Sequence, residues 1–273
     1  MSVAPKLQTN QFDFIKMRAT GNDFIIIDNR FTVKKLDVNL IKLMSQRHFI
    51  GCDQLIVISR EQSDNIDAVM TIFNSDGSTS PTCGNATRCV AALLFAENST
   101  LNKVMIKTSA GLLECFKISD DLIKVNLGAP QLIENNIKLH GYNFTHVNVG
   151  NPHAVTFNAT IPDDEDFFTI GKSVENNLNF FPHKTNVEFA KMIDEKTIEV
   201  RVFERGVGET LACGSGACAV AFAAIANHHT KNSQITICFK GGAIIIEYDG
   251  KDVFMTASFE KIFSGVLEKQ WLI

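Results

Sequence analysis

The sequence contains no Cys-x-x-Cys pair, no block of lysine and arginine, no low-complexity segment and no apolar run long enough to cross a bilayer. Each absence removes a class of function. Without Cys-x-x-Cys, a structural zinc module and a thioredoxin-type dithiol both lose their usual spacing. Cys83 and Cys89 are six residues apart, and Cys213 and Cys218 five apart. On a helix those separations carry the second cysteine well round the axis from the first, so no metal set is expected. A formal net charge of −4 and a pI near 6.0 give no electrostatic reason to expect nucleic acid or an anionic membrane as partner. The longest run of small and apolar residues, Ala217 to Ala226, is too short to span a membrane. The first ten residues lack the apolar stretch of a secretory signal, which makes a cytoplasmic protein the expectation.

What is present is the composition of a soluble globular chain with a substantial core: 273 residues, 45% hydrophobic and 21% charged. That length suits one large domain or two ordinary ones. The seven cysteines are odd in number and scattered, which reads as reduced thiols rather than a disulfide framework. Cys115 in "LLECFKI" and Cys238 in "ITICFKG" sit in strand-like runs, as small buried hydrophobes would.

The chain repeats itself. Phe73-Asn74 precedes Cys83-Gly84 as Phe203-Glu204 precedes Cys213-Gly214, at an offset of 130 residues. Gly21-Asn22 opens "FIII" and Gly150-Asn151 opens "PHAVTF", an offset of 129, while "DQLIVI" from Asp53 parallels "TNVEFA" from Thr185, an offset of 132. A period of this length is that of a domain, not of a solenoid. The expectation is an α/β (mixed α+β) protein of two homologous lobes related by a pseudo-twofold, each a mixed sheet wrapped around a central helix. The first lobe covers residues 1–128 and the second 129–262, with the boundary near Gly128 and Pro130. Helices are expected at about 39–48, 84–97, 165–177 and 214–228, among short β-rich runs such as "FIIID", "QLIVI", "AVMTIF", "VMIKT", "IEVRVF" and "AIIIEY".

Cys83 and Cys213 each stand just before the first turn of the main helix of their lobe. Unpaired backbone N–H groups and the helix dipole concentrate positive charge there, which lowers a thiol's pKa. Gly84 and Gly214 leave the following amides bare to an anion such as a carboxylate, and Gly216 opens that approach further. If the lobes face each other, two thiols flank one substrate carbon, as a two-base racemisation requires. One takes the α-proton from one face while the other delivers a proton to the opposite face, and the helix amides stabilise the charge that develops on the carboxylate. The repeated landmarks also carry Asn22, Gln54, Asn74, Asn151, Asn186, Glu204 and Arg205. Singly, an Asn beside glycine is ordinary turn chemistry. Recurring with the cysteines, the set reads as the wall of a polar pocket in which Glu204 and Arg205 could meet a second ammonium and a second carboxylate. On the residues alone, structural zinc, a redox dithiol and two cysteines fixed only by packing remain open beside this reading. So does an amino-acid binding protein without turnover.

The stretches "GNDFIIID", "FNSDGS", "CGNATRC", "VGNPH", "TNVEF" and "ERGVGETLACGSGACA" resemble the motifs of the diaminopimelate epimerases, in order and over almost the whole chain. The resemblance implies a pyridoxal-phosphate-independent, cytoplasmic isomerase that interconverts LL- and meso-2,6-diaminopimelate in lysine and cell-wall precursor synthesis. It implies no cofactor, a small-molecule substrate as the partner, and neither nucleic acid nor membrane; a homodimer suits the chain's size, without an interface signature. Cys83 and Cys213 match the paired thiol bases, and Gly84-Asn85 and Gly214-Ser215 match the groups that hold the reacting carboxylate. Asn22, Gln54, Asn74, Asn151, Asn186, Glu204 and Arg205 match pocket positions, and His153 resembles the histidine beside the site. The resemblance also implies that the last strand, about 263–273, returns to the first lobe. A cyclic imino-acid racemase of the same fold is the nearest alternative, but a proline ring has no second amino-acid end for Asn74, Asn186, Glu204 and Arg205 to recognise. The chain departs from the usual pattern at Ala19, Cys52 and Ala86; Ala86 would stiffen the first helix start, and Cys52 is a packing change that adds a thiol near the cleft.

Overall fold

The computed structural model describes residues 12–31, 35–61, 63 and 65–268. The first ten residues and positions 269–273 of the expected returning strand lie outside the described residues.

The first half runs β1 (Phe12–Ala19), β2 (Asn22–Asp28), α1 (Val38–Ser45), β3 (Gln54–Ser59), β4 (Ala68–Asn74), β5 (Thr79–Ser80), α2 (Gly84–Glu97), β6 (Lys103–Thr108), β7 (Gly111–Lys117) and β8 (Leu122–Asn126). The second half runs β9 (Gln131–Leu139), β10 (Tyr142–Asn148), β11 (Pro152–Phe157), α3 (Asp164–Glu175), β12 (Asn186–Asp194), β13 (Thr197–Glu204), β14 (Gly208–Thr210), α4 (Gly214–Ala226), β15 (Gln234–Phe239), β16 (Gly242–Tyr248) and β17 (Val253–Ser258), and β18 (Glu260–Leu267) is the last element among the described residues. From β1 onward the first half has the order that the second has from β10 onward. The pairings repeat too. β2 lies parallel to β3 and β11 parallel to β12, and each second strand then pairs antiparallel with the next, β3 with β4 and β12 with β13. β18 pairs antiparallel with β1, the place that β9 takes on β10. β8 pairs antiparallel with β17 and joins the two lobes through one sheet edge.

Alternation in the strands explains why each lobe has a helix on either face of its sheet. In β2, Phe24 and Ile26 turn to one face and Ile25 and Ile27 to the other, and all four are fully buried. The first face joins Met17, Ile56 and Ile72 around α2; the second packs with Phe14, Leu55 and Val57 under Leu40, Ile41 and Met44 of α1. α2 and α4 are buried nearly all round, which is why their sequences are rich in Ala and lack a polar stripe. Their common cluster includes Met255 of β17, so the two lobes share one core. α3 covers the outer face of the second lobe with Phe167, Ile170 and Val174 against Phe144, Val187 and Phe189.

Three expectations need correction. The first helix ends at Ser45, not near 48, because Gln46 takes an extended backbone with ψ 130°. The last helix ends at Ala226, since Asn227 leaves helical geometry and His228 adopts φ 61°. β9 starts directly after Pro130; it is an edge with most side chains exposed, so it carries no buried alternation for the sequence to display. Cys115 is fully buried as expected, but Cys238 is only half-buried, because it lies on the β15 face opposite Ile235 and Ile237.

Candidate active site

The chain folds so that α2 and α4 begin next to each other. A Cβ added to Gly84 would lie 2.6 Å from Met255 Cε, and one added to Gly214 would lie 2.8 Å from Met255 Sδ and 3.6 Å from Asn85 Oδ1. The two starts therefore meet over one methionine, and glycine at both positions is what permits the approach. Cys83 and Cys213 are the N-cap residues, both with extended backbones. They open into one cleft of about 1200 Å³ between the lobes. Asn22, Gln54, Asn74, Gly84, Asn85, Asn151, Asn186, Glu204, Arg205, Gly214 and Ser215 line the same cleft. All seven cysteines are free thiols.

Hydrogen bonds repeat across the pseudo-twofold. Asn85 Nδ2 donates to Asn22 Oδ1 at 2.8 Å in one lobe, and Asn151 Nδ2 donates to Ser215 Oγ at 3.2 Å in the other. Each ties the opening of a strand to the start of the central helix. Gln54 Nε2 donates to Asn74 Oδ1 at 3.1 Å. In the second lobe Asn186 donates to the Pro152 carbonyl and accepts from the Arg205 N–H, which fixes the strand end that carries Glu204 and Arg205. At the mouth, Lys16 and Arg47 pair with Asp23 and hold its carboxyl down to about 2 against the opposing effect of burial, and Arg47 also reaches Asp53. Those ion pairs brace the ends of β2 and β3 from which Asn22 and Gln54 project.

His153 does not line the cleft. It is fully buried behind it, with Nδ1 2.6 Å from Glu188 Oε1 and Nε2 3.0 Å from Asn151 Oδ1. Ser215 Oγ, the acceptor from Asn151, is 3.4 Å from Cys213 Sγ, so a chain of polar contacts runs from Glu188 to the thiol. Glu188 is absent from the sequence-based set. In β2–β3 its place and that of His153 are taken by Ile56 and Phe24, so a search for sameness between the halves passes over both. The carboxylate also accounts for the difference between Ala86 and Gly216. Ala86 is a fully buried methyl in α2, whereas a Cβ on Gly216 would stand 2.9 Å from Glu188 Oε1. Arg88, fully buried in α2, is the other residue that the sequence reading does not single out.

The thiols depart from expectation in their protonation. The helix-start position alone favours a lowered pKa, yet burial pushes Cys83 up to about 11 and Cys213 well above the ordinary thiol value, and the Glu204 carboxylate adds to both. The weak contact from the Gly216 N–H to Cys213 Sγ, at 3.4 Å, does not offset removal from water. Burial also raises Glu204, against the hydroxyl that Thr210 donates to it. Burial raises Cys52, the thiol at the edge of the cleft, as well. Among the described residues no group of three or more His, Cys, Asp and Glu side chains forms a metal-binding set, and no helix is long and apolar enough to cross a membrane.

Raised thiol pKa values predict alkaline lability. Cys83, Cys89 and Cys218 hold their protons to about 11, 12 and 12 in the folded chain, against an ordinary value of 9.0. Between those limits the folded state binds more protons than the unfolded state, so each thiol takes away stability as the pH rises, on the order of 1 kcal/mol per pH unit. The thermal midpoint should therefore fall steadily once the pH passes about 9, and a midpoint that is flat or rising from pH 9 to 10.5 would contradict this reading of the buried thiols.

The fold defines a class. A hydroxyproline epimerase from Agrobacterium vitis superposes with a TM-score of 0.72 at 11% identity, over 95% of this chain and 91% of its own. A PhzF-family phenazine biosynthesis protein from Bacillus anthracis superposes with a TM-score of 0.66 at 15% identity, over 94% and 99%. At such identities the likeness is one of architecture: the chain is a two-lobed protein of the fold that these proteins share. Within that class the sequence is decisive. The profile of the diaminopimelate epimerase family matches residues 14–133 and 145–262, one segment in each lobe. Diaminopimelate epimerases of Acinetobacter baylyi and Methanococcus maripaludis are 35% and 38% identical to it, over 95% and 93% of this chain and 98% and 99% of their own. The chain belongs to the diaminopimelate epimerase family.

Proposed function

We propose that the cleft interconverts LL- and meso-2,6-diaminopimelate, the reaction for which the family is named, with Cys83 and Cys213 as its two bases. The observation that carries the mechanism is the meeting of two cysteine-capped helix starts over Met255. One cysteine, as thiolate, removes the α-hydrogen as a proton and becomes a thiol. The electron pair left on the carbon spreads into the carboxylate, which the bare amides after Gly84 and Gly214 hold and stabilise. The other cysteine, as thiol, then gives its proton to the opposite face and becomes the thiolate. No redox change occurs, and the return reaction exchanges the two roles.

High thiol pKa values suit this scheme in the resting site, because a neutral pair costs least when desolvated. A substrate ammonium brought beside them lowers the cost of ionising one of the two. Glu204 and Arg205, at the end of β13, are read as the groups that meet the distal ammonium and carboxylate. Asn74 and Asn186 face the same space. Absence of a cofactor, a cytoplasmic location, homodimer formation and a lobe boundary near Gly128 belong to this reading as further proposals.

A direct test of the substrate assignment offers LL-diaminopimelate, L-proline and trans-4-hydroxy-L-proline to the reduced protein in separate reactions with no added cofactor. Conversion of diaminopimelate alone is expected, with the imino acids at least about a hundredfold slower, because they bring no second ammonium and carboxylate to Glu204 and Arg205. Equal or faster conversion of an imino acid would overturn the assignment.

A further inference from the structure

The two thiols are related by the pseudo-twofold, but what lies behind them is not. Glu204 faces both thiols, but the carboxylate of Glu188, paired with His153, faces Cys213 alone. Behind Cys83 stands Arg88. The residue at its place in α4 is Cys218, a neutral thiol. Arg88 heads the fully buried side chains by size, and its guanidinium is held by neutral groups only. It donates to Thr20 Oγ1 at 2.6 Å, Asn85 Oδ1 at 2.9 Å, Met255 Sδ at 3.3 Å and the Ser258 carbonyl at 3.4 Å. Among the described residues no carboxylate forms an ion pair with it.

A buried cation without a carboxylate is costly, because removal from water is offset only if an anion forms nearby. The groups around Arg88 that can become anions are thiols: Cys83 and Cys89 on its own helix and Cys218 on α4. Cys89 and Cys218 lie wholly inside the core, and burial raises both to about 12. Cys83 alone of the three opens into the cleft. Arg88 also grips the amide oxygen of Asn85, whose nitrogen is bonded to Asn22, so the same side chain fixes the first turn of α2 behind Cys83.

We propose that Arg88 is a positioning residue that makes the thiols unequal: its buried guanidinium favours the thiolate on Cys83 and leaves the proton on Cys213. Cys83 is then the first of the two to ionise, and the enzyme at rest is poised to abstract from the face that Cys83 meets. The opposing groups are Glu204, which disfavours an anion on either thiol, and Glu188, which disfavours one on Cys213 only. The catalytic consequence rests on the two-thiol reading above, but the inequality of the thiols does not.

The test is site-resolved alkylation of the substrate-free protein with iodoacetamide from pH 7 to 9, where the chain stays folded, followed by peptide mass spectrometry. Each cysteine is compared with itself between variants, so that differences in access drop out. Arg88→Gln should slow the alkylation of Cys83 roughly tenfold at pH 8, with Cys213 unmoved, and should lower kcat. Arg88→Lys, which keeps the charge, should restore the Cys83 rate while kcat stays low, because lysine cannot reach Thr20, Asn85 and Ser258 together. An unmoved Cys83 in Arg88→Gln, or equal slowing of Cys83 in both variants, would overturn the proposal. If Arg88→Gln does not fold, Arg88→Met, an apolar side chain of similar length in the same buried place, is read in its stead with the same two outcomes. Loss of the epimerase reading would show instead as turnover surviving in a cysteine variant, with the dependence of Cys83 labelling on Arg88 intact.

Discussion

Cys83→Ala and Cys213→Ala should each lose roughly a thousandfold or more of epimerisation while remaining folded. Proton transfer by a positioned group contributes about 10²–10⁴ in rate, and a two-base path has no substitute for a missing thiol on its own face. Each substitution removes only a sulfur from a wall of the cleft, so the stability change should stay within about 1 kcal/mol. The variants should not behave alike in every respect. Each keeps the base on one face, so each should exchange the α-hydrogen of one stereoisomer with solvent and convert neither. The exchanged isomer should differ between the two. Turnover by either variant within tenfold of the wild type would contradict the assignment of both thiols.

Oxidation that joins Cys83 to Cys213 should abolish activity, and a dithiol reductant should restore it. Both thiols are free and open into one cleft. A disulfide needs Cα atoms about 4.4–6.8 Å apart, which leaves no room for a substrate carbon between the sulfurs. The measurement is activity against the fraction of Cys83–Cys213 peptide found by mass spectrometry after a mild oxidant. Loss of activity in proportion to that fraction is expected, and full activity with the link demonstrably formed would contradict it. Cys52 complicates the chemistry little, since it is almost completely buried against Ser45.

The duplication was legible because the functional parts of each half obey the same steric rules. A thiol at a helix start needs glycine after it, and a strand that opens on Gly-Asn leaves the same trace in both halves. Asn22 with Asn85 and Asn151 with Ser215 then fall into place as one repeated contact. What stayed hidden was the asymmetry. Glu188 answers to Ile56 and Arg88 to Cys218, so a comparison that seeks likeness discards them; His153, which answers to Phe24, is reached only through the family resemblance. The direction of the thiol pKa shifts was hidden for another reason. A helix start can be read from sequence, but how deeply the cap is desolvated depends on the lobe that closes over it, and here burial wins. β9 shows the same limit in the fold: an edge strand exposed on most of its length has no apolar period to read.

The central claim is that two bases act on opposite faces, and one measurement addresses it most directly. LL-diaminopimelate is incubated with the reduced wild type in deuterium oxide, and the deuterium content of recovered LL substrate and newly formed meso product is followed over the first few per cent of conversion. A proton delivered by the second, solvent-equilibrated thiol predicts near-complete deuterium at the inverted carbon of the product, while the recovered substrate stays largely unlabelled. Deuterium entering substrate and product equally from the first turnovers, or substrate-derived hydrogen carried into the product, would mean a single base on one face and would contradict the account.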